Sequence, residues 1–308
     1  MGGSGSGTSG GYRRLPRDIE NLVAEARSRE TERLNTQVSE YLAEVLSTFR
    51  GREADLTNRR LDSLAPVLGN VVEVDKVLLG GSVAKHTDVD GISDIDALVV
   101  LNRADLVGKP PAEVRAAFYT ELDAKLDRSE VASVQVGKMA VTVVYRDGME
   151  IQLLPAMQSG KRVIIGGPGG DDWMEIAPRR FQAALTDANK KLGNALVPAI
   201  KLLKSINADL PPQKQLRSYH IEAMAVDAAR NYEGPLVPRE ILIHLCKHAS
   251  ARVLRPILDL TGQSRRADEY MGEAHSVQRR NAAQALAGIG RRLDAASSLD
   301  EWKAIFGQ

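Results

Sequence analysis

A long helical pattern of apolar positions dominates the N-terminal part of the chain. Between Asp18 and about Phe49, apolar residues recur every three or four positions, the spacing of one face of an α-helix. We therefore predict one long amphipathic helix here and a second helix over about 52–67. The repeat in the first helix runs through Ile19, Leu22, Val23, Ala26, Val38, Leu42, Val45 and Leu46.

The middle of the chain changes to short apolar runs with the length and boundaries of β-strands. A helical pattern with Val114, Phe118 and Leu122 separates the second run from the third. The turn Arg146-Asp147-Gly148 joins the last two runs as a hairpin. This mixed order predicts a sheet with helices on one side. The strand-like runs are 71–79, 95–102, 131–136, 139–146 and 149–154.

A Gly-rich loop at 166–172 marks a change of character along the chain. Residues 178–306 show helical spacing and almost no strand pattern. We predict an α+β protein with an all-helical C-terminal lobe. Its predicted parts are a flexible Gly/Ser tail at 1–11, a mixed sheet-and-helix lobe at 12–170 that includes the long first helix, and the helical lobe at 171–308.

The strongest chemical signal is the stretch GGSVAKHTDVDGISDIDALVVL at 80–101. Gly81 and Ser82 follow a strand-like run and offer backbone N–H groups and a hydroxyl to a phosphate. Asp94 and Asp96 open the next strand, where residues i and i+2 share a face. Both carboxylates can therefore grip the same divalent ions, and a carboxylate pair beside a phosphate cradle is typical of metal-assisted nucleotidyl transfer.

This stretch resembles the polymerase-β-like nucleotidyltransferase superfamily, and most of all its bacterial cGAS/DncV-like members, the CD-NTases. The resemblance implies a nucleotidyltransferase lobe, a helical lobe and an active site in the cleft between them. It also implies two Mg²⁺ ions, for which Mn²⁺ can substitute, held by Asp94, Asp96 and a third acid. The later segments that carry the resemblance are MEIQLLPAM at 149–157, PAIKLLKSIN at 198–207, LRSYHIEAMA at 216–225 and the terminal EWKAIFGQ.

The third acid is the point at which this chain departs from the family pattern. Much of the family keeps an acid two residues before a Leu-Pro or Val-Pro pair, where this chain has Gln152. Glutamine is neutral and is a poorer ligand for a hard cation. Glu150 lies two residues earlier, on the same face of a strand. We predict that Glu150 is the third metal-binding carboxylate, with Gln152 as its polar neighbour; the alternative is a weakened or inactive site.

The two helical motifs supply the other nucleotide-binding residues that the resemblance implies. Lys204, with Lys201 in reserve, matches a lysine that contacts the triphosphate. Ser218 matches a ligand of the β- and γ-phosphates, and Tyr219 is placed to stack on the base. Together with Gly81, Ser82 and Gln152 they form the predicted nucleotide-binding set. The alternatives are a solvated helix face for the lysines and a helix cap for Ser218.

Composition narrows the class of protein. The 308 residues carry 43% apolar residues and a net charge of +1, which argues against strong nonspecific binding to nucleic acid. Aromatic residues make up 4%, too few for an extended base-stacking platform. The single cysteine, Cys246, excludes an internal disulfide and fits a reducing cytoplasm. No apolar run approaches the length of a membrane span.

The resemblance implies that nucleoside triphosphates are joined into a cyclic di- or trinucleotide second messenger for anti-phage signalling of the CBASS type. The expected partners are ATP with GTP, UTP or CTP, a downstream effector reached through the product, and a regulatory protein. A linear oligoadenylate-type synthase would share nearly all these residues. An RNA 3′-end nucleotidyltransferase is another alternative, and the near-neutral charge argues against it. A nucleotide-binding pseudoenzyme is a further alternative, supported by Gln152.

Overall fold

The computed structural model describes most of the chain from the first helix onward. The predicted tail, Gly81, Ser82 and Asp94 lie outside the described residues, and only the backbone of Asp96 is described. The described ranges are 17–49, 56, 59–64, 66–67, 74–79, 95–101, 104–160, 162–167, 172–261 and 265–307, with the backbone alone at 17–20, 23, 24, 27, 74–79, 95, 96, 178 and 179.

A mixed sheet of seven strands forms the first half of the molecule. Its order is β1-β2-β5-β4-β3, with β6 paired to β5 and β7 to β6. β2 and β5 run parallel, and the other strand pairs among the described residues are antiparallel. The strands are β1 Val74–Leu79, β2 Ile95–Leu101, β3 Val131–Val136, β4 Val141–Tyr145, β5 Glu150–Ser159, β6 Arg162–Gly166 and β7 Trp173–Ile176.

The sheet is larger than the sequence predicts. The five predicted strands are confirmed, but β5 continues through Pro155 to Ser159 and two more strands follow it. Pro155 lies at the point where β5 exchanges one antiparallel partner for another, because pairing with β4 ends at Leu153 and pairing with β6 begins at Ala156. A residue without an N–H is tolerated best at such a break in the ladder. The sheet thus extends to Ile176, past the predicted boundary at 170.

Alternation along the strands separates two apolar faces. Ala97, Val99, Ile151 and Leu153 are buried in the core beneath helix α2, Pro111–Lys125. That helix contributes Val114, Phe118 and Leu122 to this core. The opposite face of β2, β5, β6 and β7 carries a smaller cluster of Leu98, Val100, Ala156, Ile165 and Ile176.

The second half of the molecule is helical, as predicted. One continuous core joins its helices, and the buried residues Val38, Tyr41, Leu42 and Val45 of α1 belong to that core. The sequence analysis grouped α1 with the sheet, whereas its buried side chains pack among the C-terminal helices. The helices are α1 Arg17–Thr48, α3 Pro178–Lys191, α4 Leu196–Ala208, α5 Ser218–Ala228, α6 Pro238–Arg252, α7 Val277–Ala295 and α8 Leu299–Ile305.

One backbone hydrogen bond marks the junction of the two halves. Directly after β7, the N–H of Ala177 donates to the carbonyl oxygen of Thr261 at 2.7 Å. Thr261 lies in the segment between α6 and α7. That segment therefore contacts the chain directly after the last strand of the sheet. Among the helices described, none is both long and apolar enough to cross a membrane.

Candidate active site

The parallel pairing of β2 with β5 sets the geometry of the candidate site. In this register the Cα of Asp96 lies opposite that of Gln152. Glu150 is the first residue of β5 and lies opposite Val144 of β4. The structure therefore brings Asp96 and Gln152 together. It places Glu150 two residues before Gln152, at the start of β5.

Polar residues occupy neighbouring positions on adjacent strands, in a row across the sheet that starts at Asp96 and Gln152. Gln152 pairs with Thr142 of β4, and Thr142 pairs with Gln135 of β3. The next residue of β5 on this face is Leu154, which packs against the smaller apolar cluster. This face of the sheet is thus apolar toward the end of β5 and polar at its start, as expected where a sheet face opens toward a polar ligand.

Glu150 and Gln152 are available for such a ligand. The Glu150 side chain is exposed and that of Gln152 is half-buried. Within the described part of the chain, neither side chain takes part in a hydrogen bond or ion pair. No group of three His, Cys, Asp or Glu side chains able to hold a metal occurs in that part. Glu150 is the one predicted metal-binding acid with a described side chain, and its free carboxylate suits a hard divalent cation.

Arg60 anchors the turn that precedes Glu150. Its Nη2 donates to Asp147 Oδ2 at 2.6 Å, and its guanidinium carbon lies 3.9 Å from the centre of the Tyr145 ring. The hydrogen bond from Arg60 holds the pKa of the Asp147 carboxyl below its usual range. Gly148 closes the turn by donating its N–H to the carbonyl of Tyr145 at 3.0 Å. The start of β5 is therefore fixed from the helical residues 59–64.

The two predicted phosphate-binding lysines lie on α4 and are almost fully buried. Lys201 is 9% exposed and Lys204 is 1% exposed. Lys204 Nζ donates to Glu222 Oε1 of α5 at 2.8 Å, and the Glu222 side chain is fully buried. A buried ammonium needs such a counter-charge. Lys204 is therefore held by Glu222 within the helical core.

Ser218 and Tyr219 form the first turn of α5. Ser218 is half-buried. The Tyr219 hydroxyl donates to Asp259 Oδ1 at 2.6 Å, and its ring meets Phe181 edge-on with 4.8 Å between centroids. Burial, followed by the hydrogen bond to Asp259, raises the pKa of the Tyr219 hydroxyl above its ordinary value. The hydroxyl thus stays protonated and fixes the ring.

Two of these partners were missed at the sequence level. Glu222 lies in the middle of the largely apolar stretch SYHIEAMAVDA, which also holds Asp227 near its end, and an acid within such a stretch is itself a signal of a buried ion pair. Asp259 lies in an irregular connection, where nothing in the sequence marks it as the acceptor for a tyrosine forty positions earlier.

Solved structures of known proteins share this architecture. CdnG from Bradyrhizobium diazoefficiens, in complex with GTP, has a TM-score of 0.66 at 16% identity over 86% of this chain and 93% of that chain. CdnC from E. coli MS115-1, with ATP, has a TM-score of 0.68 at 15% identity over 88% and 98%. The DncV cyclic AMP-GMP synthase of Vibrio cholerae has a TM-score of 0.59 at 13% identity over 95% and 91%.

The chain therefore has the fold of the bacterial CD-NTases, as its sequence resemblance implied. No protein-family model matches the sequence, and neither does any curated protein. At these identities the likeness establishes the fold alone, so an activity has to be argued from the residues of the site.

Proposed function

We propose that this protein is a metal-dependent nucleotidyltransferase that joins nucleoside triphosphates into a cyclic di- or trinucleotide second messenger for anti-phage defence. Proteins of the same fold support the substrate class, since CdnG is in complex with GTP and CdnC is with ATP. DncV supports the product class, because it is a cyclic AMP-GMP synthase. CdnC also forms a complex with a HORMA protein, which supports a regulatory partner.

The pairing of Asp96 with Gln152 is the observation that carries the proposal. It puts the second acid of the Asp-x-Asp motif on the strand next to Gln152 and Glu150, at the polar end of a sheet face. Neither Glu150 nor Gln152 is engaged by another described residue. The exposed Glu150 carboxylate is therefore accessible to a cation on this face of the sheet.

Each proposed residue has a defined task. Asp94, Asp96 and Glu150 hold two Mg²⁺ ions, or Mn²⁺ in their place. When bound, these ions lower the pKa of the acceptor hydroxyl and stabilise charge on the departing pyrophosphate.

The remaining residues of the set bind the nucleotide. Gly81 and Ser82 hold the terminal phosphates from the sheet side. Lys201, Lys204 and Ser218 hold them from the helical side, and Tyr219 orients the base. The 3′- or 2′-hydroxyl of one nucleotide attacks the α-phosphate of another. That hydroxyl loses its proton to water, and pyrophosphate leaves.

A pseudoenzyme that only binds nucleotide is the second candidate, and one observation favours it. The residue opposite Asp96 is the neutral Gln152, while the acid Glu150 lies two residues earlier, at the start of β5. A linear oligonucleotide synthase or an RNA 3′-end nucleotidyltransferase differs in product rather than in these residues, and product analysis distinguishes them.

The test is to incubate the purified protein with four α-labelled nucleoside triphosphates and Mg²⁺ or Mn²⁺. A cyclic product resists phosphatase and is opened by a nuclease, whereas a linear product loses its terminal phosphates to phosphatase. We expect a phosphatase-resistant product from the wild type and none from Asp94→Asn or Asp96→Asn, because each substitution removes a charge that the ions need. Nucleotide binding without any product from the wild type would favour the pseudoenzyme, and near-wild-type turnover in either variant would contradict the two-metal proposal.

A further inference from the structure

The start of α5 is held in place by a residue from a different part of the chain. Tyr270 lies between α6 and α7, and its hydroxyl accepts the backbone N–H of Arg217 at 2.9 Å. Arg217 is the cap residue that directly precedes Ser218. Its guanidinium also lies 4.5 Å from the centre of the Tyr270 ring. The residue before the first turn is therefore fixed by both its backbone and its side chain.

The same hydroxyl reaches a buried histidine of α5. Tyr270 Oη lies 3.0 Å from Nδ1 of His220, which is fully buried. The other ring nitrogen, Nε2, lies 3.5 Å from Asp268 Oδ2; with the imidazole proton on Nε2 facing this carboxylate, Nδ1 accepts from the Tyr270 hydroxyl. Burial is the main cause that lowers the pKa of His220 to about 4, so the ring is neutral at neutral pH. Tyr270 thus bridges the cap residue and the first turn of α5.

Tyr270 is itself part of a rigid frame around Arg279. Arg279 and Asp268 are both fully buried, and Arg279 Nη1 donates to Asp268 Oδ2 at 2.6 Å. Arg279 also donates to the carbonyl oxygens of Val253 and Gly272, each at 2.9 Å. Asp268 Oδ1 accepts the N–H of Ile257 at 3.1 Å. The backbone on both sides of Tyr270 is consequently tied to the start of α7.

A second set of hydrogen bonds joins the segment between α6 and α7 to α5. Asp259 Oδ1 accepts from the Tyr219 hydroxyl at 2.6 Å and from Thr261 Oγ1 at 2.7 Å. Thr261 in turn accepts the N–H of Ala177 at the junction with the sheet. We call Asp259, Asp268 and Tyr270 the α5 clasp, because each reaches the first turn of α5 from the connection between α6 and α7: Asp259 contacts Tyr219, Asp268 lies 3.5 Å from His220 Nε2, and Tyr270 contacts Arg217 and His220.

We propose that Tyr270 is a positioning residue for nucleoside triphosphate binding, acting through Arg217 and His220 on Ser218; this inference rests on the proposed function of Ser218. The clasp fixes the turn that presents Ser218 before any nucleotide arrives. Preorganised contacts lose much of their value when they are displaced by as little as about 1 Å. Tyr270 needs no contact with the nucleotide to act in this way.

Tyr270→Phe tests the proposal because it removes the bridging hydroxyl and keeps the ring against Arg217. We expect the apparent Kd for ATP with Mg²⁺ to rise about five- to tenfold, about the size of one net hydrogen bond, because the loss of the two contacts of the hydroxyl reaches the nucleotide only through Ser218. We expect the turnover number at saturating nucleotide to stay near that of the wild type. Tyr232→Phe is the matched control, since it also removes one hydroxyl, which donates to the Pro235 carbonyl beyond the opposite end of α5.

A double-mutant cycle separates positioning from a general loss of stability. If Tyr270 acts through Ser218, Tyr270→Phe weakens ATP binding much less in a Ser218→Ala background than in the wild type. Fully additive effects, or a Tyr270→Phe protein that binds ATP as tightly as the wild type, would overturn this inference. Failure of the wild type itself to bind any nucleoside triphosphate would instead overturn the proposed function.

Discussion

At the residue scale, the identity of the third metal ligand decides whether the site is catalytic. Gln152 occupies the position opposite Asp96, and Glu150 lies two residues before it on the same face of β5. An amide oxygen offers a hard cation only a dipole, whereas a carboxylate offers a charge. The longer glutamate side chain can compensate for the displaced position.

We therefore expect Glu150→Gln to reduce product formation by orders of magnitude and Gln152→Ala to cost far less. The ion nearest the acceptor needs an anionic oxygen to stay bound while it acidifies the hydroxyl. Initial rates of both variants, measured across Mg²⁺ and Mn²⁺ titrations, check this prediction. Gln152→Asp is the informative companion: if Gln152 marks a degraded site, the wild type is nearly inactive and this variant gains activity. An active wild type with an equally active Glu150→Gln would exclude Glu150 as a ligand.

At this scale, sequence analysis predicted the strands that carry Asp96, Glu150 and Gln152, and these strands lie side by side. The metal-binding role of these residues stays a prediction. Sequence analysis did not anticipate that Lys204 is buried against Glu222, because that partner lies on another helix. Pairing between helices depends on tertiary packing, which no local pattern encodes.

At the scale of elements, turns and helices place opposite demands on glycine. Gly148 adopts a φ of +91° in the turn between β4 and β5, a conformation that residues with a Cβ rarely adopt. Gly288 lies inside α7, where alanine is energetically favoured over glycine. At both positions an added Cβ would meet open space, so the backbone alone decides the outcome.

We expect Gly148→Ala to lower the free energy of unfolding by about 1 kcal/mol. Gly288→Ala should raise it by about 0.5–1 kcal/mol. Each variant is the other's control, because the added methyl group is the same. Urea unfolding monitored by circular dichroism measures both changes, and a shift of the same sign in both would contradict the conformational argument.

The elements that sequence analysis missed are those whose pattern is shortest or interrupted. Pro155 suggested an end to β5, although the strand passes it at a change of partner. β6 and β7 have five and four residues, too few to show a clear alternation. The longer periodic segments, such as α1 and α2, were predicted because many positions contribute to their pattern.

At the scale of the whole molecule, the first helix belongs to the second lobe. Leu42 of α1 is 2% exposed within the helical core, whereas Leu22 of the same helix is 64% exposed. The C-terminal half of α1 is thus a structural part of the lobe that carries Lys204 and Ser218. The sequence pattern predicts the helix itself, but an apolar repeat that runs along the whole helix does not reveal which part of it is covered.

We expect Leu42→Ala to lower the free energy of unfolding by about 2–5 kcal/mol, because it leaves a cavity in the helical core. Leu22→Ala should change it by less than about 0.5 kcal/mol. Thermal and urea unfolding measure the free energy of unfolding of both variants and so compare two positions on the same helix. An equal loss in both would mean that the exposed end of α1 is covered by something in solution.

The contact between Tyr41 of α1 and Phe306, just after α8, bears on the order in which the helical core forms during synthesis. Tyr41 meets Phe306 edge-on, with 6.0 Å between ring centroids, and almost the whole chain lies between them. A ribosome synthesises Tyr41 long before Phe306. Until Phe306 has emerged, the Tyr41 ring lacks this native aromatic partner. This contact therefore joins the helical core late in folding, after most of the core has been synthesised.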